Sequence, residues 1–137
     1  MTEKQDFYDW DRRIIEEFHA NRGNVGGQFT GVPILLLTTT GAKSGEPRTC
    51  PLAYLSEGGR IYVFAGNRGA PTNPAWYHNL VAHPDVTVEL GTETFEATAT
   101  VVDNAEGERL RSIQSQKIPS LARITRKVPV ILLERKM

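Results

Sequence analysis

Two cations of different geometry, Lys43 and Arg48, stand in one glycine-punctuated connection, Thr38-Thr39-Thr40-Gly41-Ala42-Lys43-Ser44-Gly45-Glu46-Pro47-Arg48. Lysine is a point charge and arginine a planar fork, and both suit the oxygens of a phosphate or carboxylate. The glycines let the backbone turn tightly and approach a ligand. Hydroxyls and free backbone N–H groups in such a turn also hold anions. The apolar run Val32 to Leu37 before it and Thr49 to Leu55 after it both read as strands. Strand, cationic turn and strand together make a phosphate clamp on a β scaffold. The segment is not a P-loop, because Lys43-Ser44 precedes the second glycine and no helix follows. The same residue types also make an ordinary solvated hairpin loop.

A second constellation, Asn67-Arg68-Gly69-Ala70-Pro71-Thr72-Asn73-Pro74-Ala75-Trp76-Tyr77-His78-Asn79-Leu80, follows the apolar run Ile61 to Ala65. Asn73 suits a helix N-cap and Pro74 the first helical position. The step His83-Pro84 should end the helix. A glycine loop carrying Arg68 therefore feeds a helix N-terminus, which favours negative charge.

In this order and spacing the two segments resemble the deazaflavin-dependent nitroreductase family, which uses coenzyme F420. The residues that carry the resemblance are Thr-Thr-Thr-Gly-x-Lys-Ser-Gly-x-Pro-Arg at 38–48, Pro51-Leu52, Gly69-Ala70, Asn-Pro-x-Trp-Tyr-x-Asn-Leu at 73–80, and His83-Pro84-Asp85-Val86. It runs from Gly31 to Val101, with a fair match at Pro129 to Glu134. It implies a split β-barrel of the FMN-binding type. It also implies hydride transfer from C5 of the reduced deazaflavin to a small electron-poor acceptor: a quinone, a nitro compound or an activated alkene.

Such a coenzyme has a phosphodiester, an oligoglutamate tail and a flat tricyclic head. These require cations and an apolar slot with polar groups at its edge. The resemblance assigns Lys43 and Arg48 to the phosphate and tail. It assigns Thr49, Cys50, Pro51 and Leu52 to the strand lining the head. Ala65, Gly66, Asn67, Arg68, Gly69 and Ala70 form the second coenzyme loop, and Trp76 and Asn79 lie on the helix that closes the pocket. The protein's task is chiefly to hold coenzyme and acceptor face to face.

The residues themselves leave alternatives open. Trp76 also suits a helix anchor, and Asn79 a loop brace or cap. Arg68 suits a solvated loop, and Cys50 a small buried filler with no histidine nearby in sequence. His19, His78 and His83 show no metal-ligand spacing, so no metal is expected. No Gly-x-Ser-x-Gly motif announces a nucleophile. The stretch 118–127 has no tyrosine, where family members active on quinones or nitroimidazoles carry several. A non-catalytic F420 carrier is therefore an alternative, and an FMN- or haem-binding relative on the same fold is another. Lys117, Arg123, Arg126 and Lys127 stand with no acid among them. They read as a solvated loop, as a rim for an anionic tail or acceptor, or as a membrane contact with Leu121 and Ile124 as its apolar face.

The elements that must position these residues follow from periodicity. Residues 6–21 read as an amphipathic helix with Phe7, Trp10, Ile14 and Phe18 on one stripe. It either packs on the barrel or covers a partner subunit. Asn21 to Gly27 reads as a loop. Strands are expected at 33–40, 48–56, 60–66, 86–91, 94–102 and 128–134, with hairpin turns at Ser56-Glu57-Gly58-Gly59 and Gly91-Thr92. A helix is expected at 104–116, burying Leu110 and Ile113. The fold class is mainly β (α+β), a small barrel or half-open roll with peripheral helices, in a single domain over 1–137.

Composition narrows the rest. With 16 basic and 16 acidic residues the formal charge is zero, which argues against a nucleic-acid partner. Cys50 is the only cysteine and forms no internal disulfide, which fits a cytoplasmic protein. The polar start, Met1 to Tyr8, is no signal peptide. The assembly is expected to be a monomer or homodimer.

Overall fold

The computed structural model describes residues 3–26 and 32–136. Gly27, the end of the expected first loop, lies outside the described residues. So do the side chains of Phe7, Trp10 and Arg68.

The elements run α1 (Glu3–Ala20), β1 (Ile34–Thr40), β2 (Pro47–Glu57), β3 (Arg60–Phe64), α2 (Ala75–Ala82), β4 (Asp85–Leu90), β5 (Glu93–Val101), α3 (Asn104–Lys117), α4 (Pro119–Ala122) and β6 (Val130–Arg135). A short 3-10 turn, Asn67–Gly69, sits between β3 and α2. The strands close into an antiparallel barrel in the order β1-β2-β3-β6-β5-β4. Closure removes both sheet edges. Each expected strand is present with its ends moved by one or two residues. The last begins at Val130 rather than 128, after Pro129, which has no N–H to give a ladder.

Alternation sets the layers. Leu35, Leu37, Val63, Val86, Val88, Phe95, Ala97, Ala99, Ile131 and Leu133 fill the barrel interior. The opposite faces meet helices: Ile34 and Leu36 of β1 pack with Phe18 of α1, and Leu55, Tyr62 and Val130 pack with Leu110 of α3. The first helix therefore packs on the barrel. On α3 the buried partner of Leu110 is Gln114, 2% exposed, whereas Ile113 is only half-buried. The Gln114 Nε2 reaches the carbonyl of Tyr54 at 3.5 Å. Among the described residues no helix is long and apolar enough to cross a membrane.

The two tight hairpins, β2–β3 at Gly58-Gly59 and β4–β5 at Gly91-Thr92, lie at one end of the barrel. Because neighbouring strands are antiparallel, the 41–46 turn, the connection 65–84 with α2, and the connection 102–129 with α3 and α4 all lie at the other end. Topology thus gathers both sequence motifs at one mouth of the barrel.

Candidate active site

The β1–β2 turn is built from its own backbone. The N–H of Gly41 donates to the Glu46 carbonyl at 2.8 Å, that of Gly45 to the Gly41 carbonyl at 2.9 Å, and that of Glu46 to Ser44 Oγ at 3.2 Å. Gly45 has φ +71°, a left-handed conformation that favours glycine. A side chain at Gly41 would run into Ser44. The Ala42 N–H donates to Asn79 Oδ1 at 3.0 Å. The N–H groups of residues 41, 42, 45 and 46 are consumed in holding the turn's shape, which narrows the expected backbone donors of the turn to those of Lys43 and Ser44. Lys43 is exposed, and the Arg48 side chain is 57% exposed, with only a loose 3.9 Å pairing to Glu46.

Arg48 opens the part of β2 that matters most. The β2–β3 ladder begins only at Tyr54, while β2 is laddered to β1 from Pro47 to Ala53. The stretch from Arg48 to Leu52 therefore runs past the β3 ladder at the barrel mouth. Leu52 and Tyr54 pack toward the interior, which puts Arg48 and Cys50 on that same face by strand period. Arg48 is registered opposite Thr39 and Cys50 opposite Leu37. Cys50, Pro51 and Leu52 are half-buried and Thr49 is exposed, its hydroxyl 2.7 Å from that of Thr38. Cys50 is therefore not a fully buried filler. Burial pushes the Tyr54 phenol up from its ordinary value, which keeps it protonated.

Asn79 ties the helix to this strand pair. It is 9% exposed, and its Nδ2 donates to Thr39 Oγ1 at 3.2 Å while its Oδ1 accepts from Ala42. It is the brace that its residue type allowed. Trp76 and Tyr77 of α2 pack with Leu80 against the barrel interior, so Trp76 is at least the anchor of this helix.

The second loop is held differently from the expected N-cap. Helix α2 starts at Ala75, its N-cap is Pro74, and no side chain caps it. Asn73 has another partner: its Oδ1 accepts from Arg126 Nη1 at 2.6 Å. Arg126 also donates to the carbonyls of Ala65, Ala70 and Thr72, at 2.9, 3.1 and 3.1 Å. Asn67, at φ +51°, donates its own Nδ2 to Thr72 O at 2.9 Å. Gly69 has open space above its Cα, and Ala70 is half-buried. Ala65 and Gly66 are buried, the latter against Ile124 and Leu121.

The stretch 117–127 is therefore not a plain solvated loop. It contains α4, and Leu121 is 7% exposed, which withdraws it from any apolar outer face. Sequence reasoning missed Arg111, which donates to the carbonyls of Leu121 and Arg126, at 3.0 and 3.1 Å, and to that of Ile124. No group of His, Cys, Asp and Glu able to hold a metal occurs among the described residues. A small cavity of about 60 Å³ between α3 and Lys127–Val130, and an open groove of about 720 Å³ beside Asn21–Gly26, contain none of the expected coenzyme residues.

Comparison with known proteins identifies the family. The model of the F420H(2)-dependent quinone reductase family matches residues 10–135. An F420H(2)-dependent quinone reductase of Mycobacterium tuberculosis is 35% identical over 127 residues, covering 87% of this chain and 85% of that protein. A solved F420-H2 dependent reductase, FDR-A, is 36% identical with a TM-score of 0.67, over 74% of this chain and 94% of its own. A second solved chain, described as a domain-swapped dimer, is 32% identical with a TM-score of 0.69, over 93% and 98%. The chain belongs to the F420H(2)-dependent quinone reductase family: it is an F420H2-dependent reductase of split-barrel fold, and its coenzyme is F420.

Proposed function

We propose that the chain reduces a quinone at the barrel mouth, with F420 lying between the Lys43–Leu52 stretch and the Ala65–Ala70 loop. The observation that carries this reading is the placement of Lys43 and Arg48, both exposed, beside a stretch of β2 that runs past the β3 ladder. The donor set suits the coenzyme: two cations for its phosphate and carboxylates, and half-buried Leu52, on the same face of β2 as Arg48 and Cys50, for one face of a flat ring, while Pro51 turns to the opposite face of the strand. Bound F420H2 supplies the hydride. Lys43 and Arg48 bind anionic groups, Thr49 and Cys50 offer polar atoms at the ring's edge, and Gly69 leaves room for close approach. Trp76 and Asn79 hold α2 across the mouth and limit water. Arg68 adds a further cation to the second loop. Likeness to the domain-swapped relative supports a homodimer, which sedimentation of the purified protein would test.

Mixing the protein with reduced F420 and a soluble naphthoquinone, and following deazaflavin absorbance, tests the activity. Oxidation of F420H2 with stoichiometric quinone loss is the expected result. Tight F420 binding without oxidation in the presence of quinones, nitro compounds or activated alkenes would show a carrier instead.

A further inference from the structure

We propose that Arg126 is a positioning residue that sets the shape of the coenzyme loop before coenzyme arrives. The inference rests on the reading that F420 lies along residues 65–70.

A guanidinium has five N–H groups. Those of Arg126 meet five neutral oxygens: Nε donates to Ala70 O, Nη1 to Asn73 Oδ1 and Lys127 O, and Nη2 to Ala65 O and Thr72 O. Four of these oxygens belong to the 65–73 connection. Among the described residues that connection is otherwise tied by the Ala65 N–H to the Pro129 carbonyl at 2.9 Å, by the 3-10 turn bonds of Gly69 and Ala70, and by the Asn67–Thr72 bond. Its carbonyls converge on one half-buried cation, which takes the place of a ladder partner.

The saturation of the fork decides what Arg126 does. With every N–H engaged, it has no donor for a phosphate or carboxylate unless it releases the loop. It therefore acts on the coenzyme through the loop rather than by contact. Arg111 holds the carbonyl of Arg126 itself, at 3.1 Å, and that of Leu121, so α3 backs the brace. Of the four cations expected at a rim for an anionic tail, Arg126 is the strut under the coenzyme loop.

The test titrates oxidised F420 by fluorescence into the parent chain, R126K, N73A and the pair K43A and R48A. Backbone amide exchange across 66–73 is measured without coenzyme. Lysine keeps the charge but presents three donors from a point, so it cannot hold all five oxygens. R126K should bind F420 about tenfold more weakly, and N73A about threefold. Both should exchange the 66–73 amides faster while the barrel strands keep their protection. The salt dependence of binding should be unchanged in R126K, since no charge is lost. Affinity within twofold of the parent in folded R126K and N73A would overturn the proposal, even if exchange rises. If R126K does not fold, N73A decides. If K43A and R48A also leave affinity unchanged, the site reading falls with it. If those two weaken binding and R126K and N73A do not, only the positioning role falls.

Discussion

Asn79 on α2 and Thr39 on β1, 40 residues apart in sequence, share a buried hydrogen bond of 3.2 Å. The same Asn79 amide accepts from the Ala42 backbone N–H at 3.0 Å. One side chain thus joins the closing helix, the first strand and the cationic turn. Asn79→Ala would leave the Thr39 hydroxyl and the Ala42 N–H without this partner. The expected loss of stability is roughly 1–3 kcal/mol, read from urea denaturation. F420 affinity should fall too, because the turn that carries Lys43 loses its tie. Unchanged stability in Asn79→Ala would show that the bond is not formed in solution.

Gly66 and Ile124 make a second close relationship. A Cβ on Gly66 would stand 3.0 Å from Ile124 Cδ1 and 3.5 Å from Leu121 Cδ1. The backbone itself, at φ −78°, accepts any residue. Gly66→Ala should therefore destabilise by overpacking, by roughly 1–3 kcal/mol. Ile124→Val removes the obstructing Cδ1, so the double variant should lose less than the sum of the single losses. Strict additivity in a double-mutant cycle would contradict this packing.

The third prediction concerns acid. Arg109 bonds Glu57 through two nitrogens, at 3.1 and 2.7 Å, and also pairs with Glu106, linking α3 to the β2–β3 hairpin. The hydrogen bonds from Arg109 hold the Glu57 carboxyl below its ordinary value of 4.5. A depressed folded-state pKa contributes stability that is present above the unfolded value and lost as pH falls through the folded one. The parent should therefore lose stability below about pH 4.5 more steeply than Glu57→Gln. Thermal midpoints across the acid range would show it, and parallel curves would contradict it.

Much of this was legible in the sequence, for reasons that differ by element. The strands were visible because alternation in segments such as Phe95, Ala97 and Ala99 has one buried outcome. The hairpins were visible because Gly58, Gly59 and Gly91 take positive φ. The turn carrying Lys43 and Arg48 was visible as a motif, and its exposure agrees with a binding role. Asn73 was misread because N-cap preference is local, whereas its partner Arg126 lies 53 residues away. The role of Arg126 was hidden for a related reason. Four of its acceptors are backbone carbonyls, and a carbonyl leaves no residue-type signature. Helix α4, with four residues, is too short for periodicity to report. Gln114 was passed over because a buried glutamine on a helix has no pattern to distinguish it from a solvated one.

The central claim is that F420 binds through the cationic turn, and the most direct measurement removes that charge. Lys43 and Arg48 are exposed, so Lys43→Ala and Arg48→Ala should each change stability by less than about 0.5 kcal/mol. Fluorescence titration of oxidised F420 into the parent and both variants, at low and high salt, then isolates binding. The account predicts weaker binding in each variant, with the larger loss at low salt, where charge attraction is least screened. Unchanged affinity in both folded variants at low salt would contradict it.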